Sequence, residues 1–140
     1  MENPLLELQE YENLQEALKK AKGPVQATGT LDSQKVHLMY WLGKDGGFPW
    51  KLVVTYDDQR AREIYDDFRS FTENVWLYPA KDLLFYSADI HGNLMTRQRI
   101  AVWRHLMEEK EGVVVTTLDG LMDHLLPLVF LKQQAVTVEN

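Results

Sequence analysis

Gly29 and Lys35 stand in the register of a phosphate-binding loop, within the run Gly29-Thr30-Leu31-Asp32-Ser33-Gln34-Lys35-Val36. Such a loop has the form G-x-x-x-x-G-K-[ST] between a strand and a helix. Its glycines let backbone N–H groups close on phosphates, its lysine meets them as a cation, and its hydroxyl holds Mg²⁺. Here Gln34 replaces the second glycine, and a Cβ with a long amide crowds the cradle. Val36 replaces the hydroxyl and has no oxygen to offer Mg²⁺. Asp32 adds a carboxylate among the phosphates, where each like-charge pair costs roughly 4 kcal/mol at about 4 Å and an effective dielectric near 20. The loop keeps the outline of a phosphate site and lacks its chemistry. No nucleotide, metal or other cofactor is therefore expected at Gly29, Asp32, Gln34, Lys35 or Val36.

Other reactive residues do not group by spacing. His37, His91, His105 and His124 form no i, i+4 pair and no HExxH, so they read as surface or boundary histidines. There is no GxSxG nucleophile elbow. The apolar strands end at Thr55, Tyr78 and Thr116, so none supplies the acid that holds Mg²⁺ in a nucleotide hydrolase. Asp57-Asp58 reads as a helix N-cap with charge that complements the dipole, and Asp66-Asp67 as a solvated face. Arg97, Arg99 and Arg104 make a small basic cluster that reads as surface charge. Trp76 lies in a strand and reads as core, while Trp50, after Gly46-Gly47-Phe48-Pro49, reads as exposed at an interface. No catalytic residue and no metal site is assigned.

The elements that must position these residues follow from periodicity. Leu5, Leu8, Leu14, Ala17, Leu18 and Ala21 recur at helical spacing, which predicts a helix over 3–22 stopped by Gly23-Pro24. Residues 25–28 are a short strand candidate, and 33–42 a second helix. Lys51-Leu52-Val53-Val54-Thr55 is a continuous apolar strand, a pattern expected of burial on both faces in a parallel sheet. A helix follows to about Thr72, with Ala61, Ile64, Tyr65, Phe68 and Phe71 as its apolar stripe. Then come a strand at 75–78, a polar-aromatic loop over 79–92 and a helix over 93–109. A strand at 112–116 follows, then a helix that Thr117 caps, ending near Leu126-Pro127. The tail from Phe130 is a strand candidate or an ordered extension. Strands alternating with helices predict an α/β fold, a parallel sheet with helices on both faces. There is no repeat or linker, so residues 1–140 are taken as a single domain.

Composition bounds the rest. The chain has 140 residues, 45% of them hydrophobic, enough to hold a core without staples. It has no cysteine, which excludes disulfides, thiol catalysis and Cys-ligated zinc. A net charge of −6 argues against a free-standing nucleic-acid binder. No apolar run has the length of a membrane span, and the acidic N-terminus is no secretory signal. A cytoplasmic location, with no membrane partner, is expected.

Three stretches together resemble a known family. KLVVTYDDQRAREIYDDFRSF, NVWLYPAKDLLFYSADIHGN and RQRIAVWRHLMEEKEGVVVTTLDGLMDHLLP are similar to the N-terminal region of the bacterial transcription-repair coupling factor, Mfd. Most specific is the order strand, YPAKDLLFY, short acidic loop, helix with RQRI, then GVVVTT. The resemblance covers roughly residues 5 to 135. It implies a P-loop, RecA-like fold similar to the first domain of UvrB, carrying a degenerate phosphate loop. UvrB's long DNA-gripping hairpin has no room here between Tyr78 and Asn93. The implied chain is a fragment of a longer protein. There, an adjacent domain docks UvrA, and residues 130–140 begin the connection to it. RNA polymerase and DNA are bound by downstream domains, and the whole protein is an ATP-dependent DNA translocase. The implied role is a non-catalytic module that contributes to recruiting nucleotide excision repair to RNA polymerase stalled at DNA damage. Later sequence would complete its sheet, so an exposed apolar patch able to drive self-association is expected.

Two other classes stay open. One is an active ATP-binding domain, with phosphate held by Lys35 and a helix N-terminus. The other is a signalling receiver domain, which needs a phospho-acceptor Asp where the chain has Tyr78 and acidic residues where it has Thr28.

Overall fold

A computed structural model describes residues 2–80 and 89–122, and of residues 33 and 89–95 the backbone alone. Asn3 starts the chain's first turn by accepting the Leu5 N–H on its side-chain oxygen at 2.9 Å. This turn is a 3-10 helix, Pro4–Glu7. Leu8 is extended, and α1 (Gln9–Lys20) begins after it. The predicted helix over 3–22 is thus two pieces, and it stops at Ala21, ahead of Gly23. The remaining elements are α2 (Asp32–Asp45), β1 (Trp50–Thr55), α3 (Asp58–Arg69), β2 (Val75–Tyr78), α4 (Asp89–Glu108), β3 (Gly112–Thr117) and α5 (Leu118–Met122). Helix α4 starts ahead of the predicted Asn93, which shortens the expected loop. The predicted end of the last helix near Leu126 and the tail from Phe130 lie outside the described residues.

The strands form one parallel sheet in the order β1-β3-β2. Strand β3 is central and buried along all of its residues, as unbroken Val113-Val114-Val115 with two threonines requires. Register assigns the two faces. Val53, Val113, Val115, Val75 and Leu77 share one face. There they meet Ala61, Ile64 and Phe68 of α3 and Val36 of α2. On the other face Val114, Trp76 and Tyr78 meet Val102, Trp103 and Leu106 of α4. Helices therefore cover both faces, and the chain is α/β with a small three-stranded parallel sheet.

Two expectations are corrected. Residues 25–28 form no strand: among the described residues they join no ladder. Pro24 has no N–H to give, Gly29 turns the chain at φ +83°, and Val25 and Ala27 alone offer too small an apolar face. These two side chains instead line the cleft between α1 and α2. Strand β1 is not buried on both faces. Among the described residues it is an edge strand, and Leu52 is 58% and Val54 44% exposed on the α4 side.

Candidate functional site

The Gly29–Val36 loop enters α2, and each of its key side chains has a partner within the chain. Gln34 is a helix cap: its side-chain Oε1 accepts the Leu31 N–H at 3.2 Å. Its own N–H donates to the Leu31 carbonyl at 3.0 Å. This is half of a capping box, with the reaching glutamine at N3 and a leucine where the capping hydroxyl would stand. Val36 is 1% exposed and packs among Ala61, Ile64 and Phe68. It holds α2 to α3, a role that a Mg²⁺-binding serine at the same position would give up.

Asp32 and Lys35 are one turn apart on α2, and the Lys35 ammonium donates to Asp32 Oδ1 at 2.7 Å. Arg60 of α3 approaches the same oxygen at 3.3 Å and pairs with Glu63 at 2.9 Å. The result is a chain of alternating sign, Lys35–Asp32–Arg60–Glu63, with no net charge. The Lys35 hydrogen bond and the neighbouring Arg60 charge hold the Asp32 carboxyl below its usual range. Arg60 and then Gln59 do the same for Glu63. The Glu63 bond, ahead of its other surroundings, raises Arg60. Lys35 and Asp32 are both at least half exposed, so solvent and salt screen this pair and it holds them weakly. A phosphate competes easily for the lysine. The harder obstacles are Gln34 on the backbone, Val36 in the core, and a preceding segment that is not a strand.

In open parallel sheets ligands gather beyond the carboxyl ends of the strands. Here the chain fills much of that end itself. Asp57 follows β1 and caps α3, accepting the Arg60 N–H at 2.7 Å. The Thr116 hydroxyl donates to the Tyr78 carbonyl at 2.8 Å. The Thr117 hydroxyl accepts the Gly120 N–H at 3.1 Å, as the sequence predicts for a cap of the last helix. Arg99 is 6% exposed, lies 4.5 Å over the Tyr78 ring and donates to the Pro79 carbonyl at 3.4 Å. The basic cluster is therefore not uniform surface charge: Arg97 and Arg104 are exposed, and Arg99 is core. Its place on the same face as Val102 and Trp103, three and four residues on, was the signal for this.

The other predicted residues are placed as follows. Asp66 and Asp67 are exposed on α3. His37 accepts the Trp41 indole N–H at 2.9 Å and stacks on Phe71 at 5.4 Å. His105 stacks on Trp76 at 4.6 Å, so both are boundary histidines with aromatic neighbours. The His91 and His124 side chains lie outside the described part. Trp50 is half-buried and packs 5.7 Å from Trp76 rather than standing free. Among the described residues no three His, Asp or Glu side chains gather as a metal site, and no helix is long and apolar enough to cross a membrane.

A second polar cluster was not read from the sequence. Asp45, at the end of α2, accepts from Asn3 at 2.6 Å, Tyr11 at 2.7 Å and Gln15 at 3.2 Å. It fastens the N-terminal segment to α2 across long sequence separations that no local pattern encodes.

Compared with known proteins, the chain matches no family model, no curated protein and no solved structure.

Proposed function

We propose that this chain is a non-catalytic α/β module. In the form its resemblance implies, it is the UvrB-like N-terminal part of a cytoplasmic transcription-repair coupling factor. The RecA-like ancestry and the degenerate phosphate loop belong to this proposal. Its role is to help present UvrA, through an adjacent domain, to RNA polymerase stalled at damage. The observation that carries the non-catalytic half is the internal use of the loop. Gln34 caps the helix, Val36 is core, and Lys35 faces Asp32. Recruitment rests on the three resembling stretches.

Titration with Mg-ATP and Mg-ADP, read by calorimetry and by melting temperature, tests the reading. The expected result is no heat and no shift at millimolar nucleotide. A ligand at 100 times its Kd would stabilise the fold by about 2.7 kcal/mol, which a melt detects. A micromolar Kd abolished by Lys35→Ala overturns the reading and installs the active ATP-binding domain in its place. In the longer parent chain, Lys35→Ala is expected to leave repair of transcribed strands intact, while removal of this module impairs it.

A further inference from the structure

The α4 side of the sheet carries a groove of about 320 Å³. Its walls include Trp50, Leu52, Val102, Trp103, Val114 and Leu121. Lys51 borders it, but its side chain runs along Gly43 on the other face of β1. The groove exists because α4 packs over β2 and the centre of β3 and leaves β1 bare. Leu52 is opposite Val114 and Val54 opposite Thr116, so both point to the α4 side, and both are largely exposed. Fully burying a side chain of this size stabilises a fold by about 1.5–3 kcal/mol. A pair of such residues beside two tryptophans is a face built to be covered.

We propose that this groove is the docking site for the chain's own segment 125–131, Leu125-Leu126-Pro127-Leu128-Val129-Phe130-Leu131. Three observations select this occupant. The described chain reaches Met122 in α5, and Leu121, one residue earlier, already forms part of the wall. The segment starts three residues on, is apolar throughout and carries no charge until Lys132. Its length also fits. Seven extended residues reach at most about 25 Å, and six residues of strand rise about 20 Å, so the segment is long enough to run along β1 from its carboxyl end to Trp50. This inference concerns how the module completes itself and does not depend on the proposed function.

The absence of native cysteine makes the test direct. Double variants of the full chain pair Leu52→Cys or Val54→Cys with Leu128→Cys, Val129→Cys or Phe130→Cys. A disulfide needs Cα atoms within about 7 Å. Mild oxidation is expected to close an intrachain disulfide in at least one pair. A control joining Leu18→Cys on α1 to the same tail positions is expected to stay reduced. Separately, Phe130→Asp is expected to shift tryptophan emission to the red, because Trp50 and Trp103 line the groove. Three crosslinking outcomes overturn the proposal: no intrachain link in any pair, linking of the control at the same rate, or links only between molecules, which would assign the groove to a second copy. Unchanged emission in Phe130→Asp also overturns it.

Discussion

The Tyr11 hydroxyl is the most perturbed titrating group among the described residues, and its setting predicts a pH response. Tyr11 is buried on α1 and donates to Asp45 at 2.7 Å. Burial first, and then the bond to the Asp45 carboxylate, push its pKa from 10.0 up to about 12. Both causes disfavour a phenolate, one by desolvation and one by placing two anions together. The folded state thus holds this proton more tightly than the unfolded chain. The stability it contributes is whole below pH 10 and is lost as pH rises towards 12. Two pKa units correspond to about 2–3 kcal/mol at the upper end. Lysines titrate in the same range, so the comparison is with Tyr11→Phe, measured by urea unfolding at about pH 9 and about pH 11.5. The variant should be less stable by about 1–2 kcal/mol at the lower pH, having lost a hydrogen bond to a charged group. That deficit should shrink or reverse at the higher pH; a constant deficit would remove the coupling between Tyr11 and Asp45. Asp45 shows what a sequence hides at this scale. Gln34 and Val36 could be judged alone, because one position of a phosphate loop demands glycine and the next but one an oxygen. Asp45 has meaning only once Asn3 and Tyr11 are beside it.

Strand β3 opens with a glycine for a reason visible only in the assembled sheet. Gly112 donates its N–H to the Pro49 carbonyl at 2.8 Å. A Cβ on it would run into the rings of Trp76 and Trp50. Those indoles flank it 5.7 Å apart, and His105 stacks on Trp76 beyond. Gly112→Ala should cost about 1–3 kcal/mol by overpacking and should change the near-ultraviolet circular dichroism of the tryptophan pair. A lower urea midpoint at unchanged slope is the expected observation; an unaltered midpoint would mean the rings move aside freely. Strands at 50–55, 75–78 and 112–117 were legible because each is a compact apolar run between turn residues. Helix α3 was legible from its stripe and the Asp57 cap. Residues 25–28 were misread because a four-residue apolar-polar alternation does not reveal whether a sheet edge lies within reach. Strand order was not legible either. Two apolar runs, at 51–55 and 112–116, look alike along the chain, and only the crossovers make β3 central and leave β1 at the edge among the described strands.

Across the whole molecule the packing is uneven, and this sets how it should open. Phe68, 1% exposed, joins α3 to Val36 of α2, Val75 of β2 and Val113 and Val115 of β3. Helix α1 has Tyr11 as its one buried residue and is otherwise tied on through side-chain polar groups at Asp45. Free energies of opening in one protein range from near zero to the global value, following such differences in burial. Phe68→Ala should therefore cost about 3–5 kcal/mol, a large part of the roughly 5–15 kcal/mol that holds a domain of this size. Native-state hydrogen exchange separates the two regions. Amides of β3 exchange through global unfolding, so Phe68→Ala should lower their protection by the full change in stability. Amides of α1 exchange through local detachment, which Phe68→Ala leaves unchanged so long as global unfolding stays the costlier route. Tyr11→Phe should lower protection in both regions by the same amount, about 1–2 kcal/mol, because the Tyr11–Asp45 bond is missing from the detached and from the unfolded state alike. Equal loss in α1 and β3 in Phe68→Ala would mean that the Asp45 clasp belongs to the same cooperative unit as the sheet, and that α1 is as firmly part of the core as α3.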